Sequence, residues 1–413
     1  MSRPDRVGLA YLLLFASLYA VQGVVVAYFF NYNSLYMEWA RVPRNLIGWT
    51  QTLALLPFIF KFVAGPISDR INPFGWGHRK PYIVFGLLLQ FTGLMGLSLI
   101  DPGRHLVLFA SLAFMTVLGL ALFDTCCDGM VIDVTPPGDR ERVQGTLVGS
   151  RFITTMICSL AFGWWLSPKT GGDLGRVYLV LWACAGLTLV PLVQAAWVHE
   201  PARAADAESF QWAALRVLIR PQSLLLLAFG AMYSTISYGV EINLSPFYAA
   251  GGFKAHDVGN FAATRYLGRA VGGALLAVFI WRLGKRGALT CGVLALAIST
   301  IGQAFVRGRG SAAVWGFAFG TANGWDDALF NVLAMEASDP RMAASTYALF
   351  MAVSNVSVAG GGLFSSVVEA AGGRYRPAFL GAGVVTLLAL GLVPALTRPV
   401  SKPEPEPRDV VAA

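Results

Sequence analysis

The chain has 413 residues, 56% of them hydrophobic and 13% charged, with a formal net charge of +8. Average globular chains carry roughly 25% charged residues, and here the apolar residues fall in unbroken blocks of the roughly 20 residues that cross a bilayer core. A soluble enzyme and a nucleic-acid binder are excluded, and the sequence reads as an all-α integral membrane protein.

Apolar blocks and their charged or Gly/Pro breaks predict twelve spans, at 8–34, 46–66, 81–100, 106–134, 144–166, 176–198, 222–249, 257–281, 287–306, 312–337, 343–368 and 377–397. The first apolar stretch, 7–30, is too long for a signal peptide and ends in no A-x-A-like site, so it is expected to be retained. It runs into YFFNYNSLYMEW (28–39), rich in Tyr and Asn, which supplies Tyr28, Asn31, Tyr32 and Asn33. The second span carries Lys61 and leads into GPISDRINPFGWGHRKP (65–81). There Gly65 permits close helix approach, and Asp69 can accept hydrogen bonds from a helix N-terminus or pair with an arginine. Gly65, Asp69, Arg70, Arg79 and Lys80 are therefore gating candidates.

The fourth span holds Asp124, Asp128 and Asp133. Asp124 and Asp128 are four apart and share one helix face. Like charges that close repel, and a carboxylate tuned in this way suits proton coupling. A Na⁺ held by the pair is the alternative, as is an ion pair with Arg151 in the fifth span. Asp133 lies nearer the span end, where pairing with Arg140, Arg142 or Arg151 is cheap, so Asp133 and Arg142 join the gating candidates. The five cysteines, Cys126, Cys127, Cys158, Cys184 and Cys291, all sit in apolar segments and read as free thiols.

The longest break is 199–221, whose second half interleaves Arg216 and Arg220 with apolar residues and suits an interfacial helix. The seventh span, with MYSTISYGVEINLSPFY (232–248), offers Tyr233, Tyr238, Glu241 and Asn243. Arg265 and Arg269 lie four apart in the eighth span and need an anionic partner, either Glu241 or a substrate group. The tenth span supplies Asp326, Asp327, Asn331 and Glu336, with Asp327 favoured over its neighbour as path-facing. The Pro- and charge-rich end, 398–413, reads as a disordered tail.

Shifting the fourth span by 203 residues lays it on the tenth: Asp124 meets Asp327, Asp128 meets Asn331, Asp133 meets Glu336 and Pro137 meets Pro340. The expected domains are thus a six-helix bundle at 1–198, a linker at 199–221, a second bundle at 222–397 and the tail. Sorting the 31 Lys and Arg by this topology puts seventeen on the side of the termini, ten opposite and four inside spans. The positive-inside rule places both termini in the cytoplasm of a cell (inner or plasma) membrane.

The 65–81 segment, Gly-x-x-x-Asp-Arg followed by Gly77 and a basic pair, resembles the signature between spans two and three of the major facilitator superfamily. AVFIWRLGKR (277–286) is a degenerate echo in the second half. FKFVAGPISDR (60–70) and DTCCDGMVIDVTPPGDRERVQGTLVGSR (124–151) are similar to the muropeptide and acetyl-coenzyme A transporter group. GHRKPYI (77–83) and the Asp-rich fourth span resemble the sugar–cation symporter group instead. The resemblance implies two bundles around a central path lined by helices one, four, seven and ten.

The expected function is secondary transport of a small polar metabolite, anionic in one version, by alternating access. Coupling is assigned to H⁺ through Asp124, Asp128 and Asp327, with Na⁺ as the other option. Tyr32, Arg151, Tyr238, Glu241, Arg265, Arg269 and Asn331 are the candidate substrate contacts. No nucleotide-binding loop, metal set or other cofactor is expected, and the partners are the lipid bilayer and the substrate, with the chain acting as a monomer. A sugar-type symporter, a drug exporter and a non-transporting assembly or sensor protein stand as alternatives. Only a water-accessible cavity lined by the central charges would suit transport.

Overall fold

The computed structural model describes residues 6–136, 139–167, 176–200, 216, 219–338 and 343–397. All secondary structure among them is helical. Helices are what an apolar chain forms in lipid, since each backbone N–H and C=O is then satisfied within its own segment.

Helical segments overlie each of the twelve stretches expected as spans, in order, several of them broken. The first is Leu9–Asn31, extended by Asn33–Trp39. The second is composite: Arg44–Leu55, a 3₁₀ turn at Leu56–Phe60, and Lys61–Arg70. Spans three to six are Lys80–Leu97, Leu106–Val134, Arg140–Trp165 and Val177–Trp197. Pro221–Ala250 is the seventh, with its proline in the first turn, where a missing N–H costs nothing. Ala255–Gln303 supplies the eighth and ninth. The tenth is Arg309–Ala337, the eleventh Ala343–Gly360 continuing to Ala370, and the twelfth runs from Tyr375 to Leu396. Among the described residues, seven helices are long and apolar enough to cross a membrane, and a bent pair makes an eighth. The remaining spans are the broken or more polar ones.

Gly284, with φ 68°, breaks Ala255–Gln303. Its first arm runs alongside the tenth span in the same direction: Gly316, Gly320 and Gly324 meet the backbone carbonyls of Phe261, Arg265 and Arg269 in turn. The second arm returns antiparallel, with Gly292 at the level of Asp326 and Gly302 against Trp315. A Cβ on Gly320 or Gly324 would lie 1.9 Å from a carbonyl oxygen, so only glycine allows this approach. Small residues at helix contacts are the normal packing device where lipid supplies no hydrophobic drive.

The fourth and tenth spans are each 29 residues long, and both their first and last residues are offset by 203. The expected linker helix and tail, and the Pro137/Pro340 match, lie outside the described residues. The cysteines are free, four buried and Cys291 partly so.

At the end carrying the 40–43, 251–254 and 371–374 turns the two halves close on each other. Gly163 abuts the Ala255 carbonyl, Gly259 abuts that of Ser159, and Gly48 abuts that of Gly362. Arg44 donates to the Gly373 carbonyl at 3.0 Å and lies over the Tyr375 ring. At the opposite end, where the chain termini lie, spans two and eleven stay in contact. The fourth span has no comparable packing against the tenth among the described residues. Ile132 and Met335, near their ends, are exposed.

Candidate functional site

Each half builds the same constellation from its first, second and fourth helices. In the first half, Lys61 of span two pairs with Asp124 of span four. One turn on, Asp128 accepts a hydrogen bond of 2.5 Å from the Tyr19 hydroxyl of span one. In the second half, Arg269 of span eight stands 3.6 Å from Asp327 of span ten, which accepts from the Tyr233 hydroxyl of span seven at 3.3 Å. Nearer the terminal end the correspondence continues. Arg79 reaches Asp133 at 3.5 Å, and Lys285 pairs with Glu336. Two of the pairs matched across the 203-residue shift, Asp124 with Asp327 and Asp133 with Glu336, therefore each face a cation, whereas Asp128 and Asn331 accept from tyrosines of different helices.

The second half adds charge. Glu241 sits between two guanidinium groups, 3.2 Å from Arg265 Nε and 3.3 Å from an Arg269 terminal nitrogen. Arg265 and Glu241 are 2% and 1% exposed. Insertion scales assign each lone charge about 2.5–3.5 kcal/mol at bilayer depth, so the pairing is obligatory. Arg265, Arg269, Glu241 and Asp327 form a formally neutral quartet. Arg269 also lies over the Tyr238 ring, 5.6 Å from its centroid. Arg265 crosses to the other half, donating to Asn31, whose amide in turn donates to Ser159 Oγ at 3.2 Å.

Asp128 and Arg151 stand outside these pairs. Asp128 is solvent-exposed, and Asp124, Lys61 and Arg151 act on its charge. Arg151 is partly exposed, lies over the Phe152 ring, and has no ion-pair partner among the described residues. Its field reaches Asp128 in its own half and Asp327 in the other. Asn331 accepts from the Tyr347 hydroxyl at 3.4 Å. Among the described residues no three His, Cys, Asp or Glu side chains are placed to hold a metal ion.

The sequence profile of the Major Facilitator Superfamily matches residues 7–254. The chain belongs to that superfamily. It is a multi-pass membrane protein of that superfamily. It is 26% identical over 145 residues to the anhydromuropeptide permease of Escherichia coli K12, covering 35% of this chain and 28% of the permease. It is 28% identical over 271 residues to Protein PucC of Rhodovulum sulfidophilum, covering 60% and 58%. The chain thus spans less than two thirds of these relatives. Among solved structures it resembles the nucleoside transporter NupG, with a TM-score of 0.74 at 11% identity over 95% and 99% of the two chains. The D-xylose–proton symporter gives 0.72 at 14% identity over 93% and 96%.

The facilitator loop after span two forms a compact latch. Arg79 also donates to Ser68 Oγ at 2.6 Å, and Gly129, which has no room for a Cβ, lets its guanidinium cross span four. Glu200, which the sequence reading did not single out, receives the backbone N–H groups of His78, Arg79 and Lys80 at 3.0, 2.9 and 2.8 Å. Gly77, at φ +117°, leaves space for that carboxylate. Lys80 donates to the carbonyls of Ala196 and Val198, closing the end of span six. Asp133 takes Arg79 rather than Arg142 or Arg151, because the loop delivers Arg79 across span four; the Arg140 side chain lies outside the described residues. Arg142 instead faces Asp139 at 3.3 Å. Gly65, Asp69 and Arg70 fall on the described Lys61–Arg70 helix, but their side chains lie outside the described residues.

Tyr32 is buried in the closed end with its hydroxyl on the Ser159 carbonyl, away from the open chamber. Tyr238 is partly exposed and packs on Phe30 of the other half. Tyr19 and Glu200 were missed: a lone tyrosine in an apolar run and a loop acid carry no periodic signal. The placement of Glu200 at the end of span six, opposite a basic loop, is the one hint available.

Proposed function

We propose that this facilitator is a secondary carrier that works by alternating access, is coupled to H⁺ and moves a small polar metabolite bearing an anionic group. The observation that carries this reading is Arg151. It is a cation without an ion-pair partner among the described residues, set between the acids of the two halves in a chamber open at one end. A guanidinium there offers a bidentate site for a carboxylate or phosphate. Asp128, exposed beside it and tied only to Tyr19 by hydrogen bond, is the group available to bind and release a proton. The printed names of the anhydromuropeptide permease and the D-xylose–proton symporter fit a small solute and a proton.

The alternative of a non-transporting assembly or sensor protein calls for a sealed, pairwise-neutral interior. Lys61 with Asp124 and Glu241 between its two arginines meet that description, but Asp128 and Arg151 have no ion pair among the described residues, and Asp327, though paired with Arg269, is one-third exposed. The positive-inside distribution orients the open end to the cytoplasm, and one chain holds both bundles, so the monomer is the working unit.

The test is a thermal-shift screen of the purified protein against anionic, neutral and cationic metabolite classes across pH, since a ligand that binds only the folded state raises stability. Anionic ligands are expected to stabilise, and Arg151→Gln should weaken them about tenfold or more, the worth of a charge-assisted hydrogen bond. Unchanged binding in Arg151→Gln sinks the substrate assignment. Uptake in proteoliposomes that ignores both pH and Na⁺ gradients sinks the coupling.

A further inference from the structure

The tenth span carries two adjacent acids, and the structure separates them. Asp327 turns to the path and pairs with Arg269. Asp326, 0% exposed, turns the other way, into the packing between the tenth and ninth spans. Neither of its oxygens has a hydrogen-bond partner among the described residues, and no Lys or Arg pairs with it. The ninth-span wall against it is Gly292, where a Cβ would stand 2.2 Å from Oδ1. The Trp325 indole, which also lines Gly292, is committed to the Ala288 carbonyl at 3.0 Å. Among the described residues, the charge whose field reaches Asp326 is that of Asp327, which is of the same sign.

An ionised carboxylate here would have neither water, donor nor counter-charge, and would face a second negative charge. Such a group is not carried as an ion in a low-dielectric interior; it takes up a proton instead. One turn earlier, Asn323 is also buried, and neither of its amide atoms has a partner among the described residues. That face of the helix therefore holds a second polar side chain with unused hydrogen-bonding capacity. Gly292 supplies the space and the tenth span the acid.

We propose that Asp326 is a proton-binding site of the second bundle, occupied by a proton in the conformation described. The proton comes from bulk water and converts the carboxylate to the neutral acid. It returns to water when the ninth and tenth spans part enough to wet the carboxyl. Asp327 stays ionised on Arg269 throughout. This assigns the protonated member of the pair opposite to the one favoured by sequence, and it rests on the carrier reading only for the use made of the proton.

The test is infrared spectroscopy of the purified full-length protein at neutral pH, reading the carboxylic-acid C=O stretch. The band is expected in the wild type and in Asp327→Asn, and its Asp326 component should vanish in Asp326→Asn, which mimics the neutral acid and should fold. An unchanged band in Asp326→Asn, or a wild type with carboxylate bands alone, overturns the proposal. A second readout needs no variant: unfolding the wild type at neutral pH should release one proton that Asp326→Asn does not release, and equal release overturns it. A Na⁺-dependent rise in melting temperature that Asp326→Asn abolishes would assign a metal cation to the site instead and likewise overturn it. If the acid band is found while uptake ignores both pH and Na⁺ gradients, the H⁺ coupling fails and the proton site stands.

Discussion

Glu241 is the most consequential single residue for stability. Its two oxygens face two arginines, and removing one partner of a buried ion set typically costs about 3–5 kcal/mol. Glu241→Gln should therefore lower the melting temperature strongly, whereas Arg142→Gln, whose guanidinium is half-exposed, should change it less. Melting curves of the two variants in one detergent decide the point. Asp139 offers a pH prediction outside the membrane. The Val7 amide donates to its carboxylate at 2.8 Å, and this, with Arg142 beside it, holds the carboxyl below the usual range. A depressed folded value means the anchoring is fully present above the ordinary carboxylate pKa of about 3.9 and is lost only as pH falls below it. Proteolytic cutting near the N-terminus should rise at neutral pH in Asp139→Asn, and in the wild type only under acid. Much at this scale was readable in advance: the Glu241 pairing with Arg265 and Arg269 follows from charge scarcity. Which partner Asp124 would choose was not, because Lys61 and Arg151 are equally plausible from spacing, and only the helix packing decides for Lys61.

At the scale of the helices, the glycines of the tenth span set the distance to the eighth. Adding one methyl at Gly320 or Gly324 drives it into a backbone carbonyl, and overpacking of this kind costs about 1–3 kcal/mol. Gly324→Ala should lower the melting temperature and also displace Arg269 from Asp327, whereas Gly310→Ala, which has open space, should do neither. A normal melting temperature for Gly324→Ala would show that the spans can part freely. The fourth–tenth repeat was legible from polar coincidences in an apolar background. The Gly-lined seam was not, because 45 glycines in one chain give no sequence contrast. Nor were the breaks inside spans two, eleven and twelve, which occur within continuous apolar runs.

For the whole molecule, closure at one end rests on few polar contacts. Arg44 spans the halves to the Gly373 carbonyl and the Tyr375 ring, and Glu38 accepts from Arg44 at 3.2 Å and from Tyr375 at 3.4 Å. Arg44→Ala should shift the population toward opening at that end. Spin labels at Arg41 and Gly372 should then report longer and broader distances. Distances identical to those of the parent would mean that the glycine contacts alone hold the closed end. Fold class and the twofold layout were apparent from composition and repeat. The state of closure was not, since both states bury the same residues in lipid and differ only in which inter-bundle contacts are made.

The neutral quartet has an electrical consequence. A membrane potential does work of about 2.3 kcal/mol per elementary charge per 100 mV, and it acts on whatever net charge a moving body carries. Arg265, Arg269, Glu241 and Asp327 sum to zero, and the glycine seam binds the helices that carry the two arginines and Asp327 into one piece. A rocking motion of this bundle is thus nearly invisible to the field. With Asp326 neutral as well, any voltage dependence of the empty protein follows the proton on Asp128 in the other half: ionised, it cancels Arg151, and protonated, it leaves one positive charge for the field to act on.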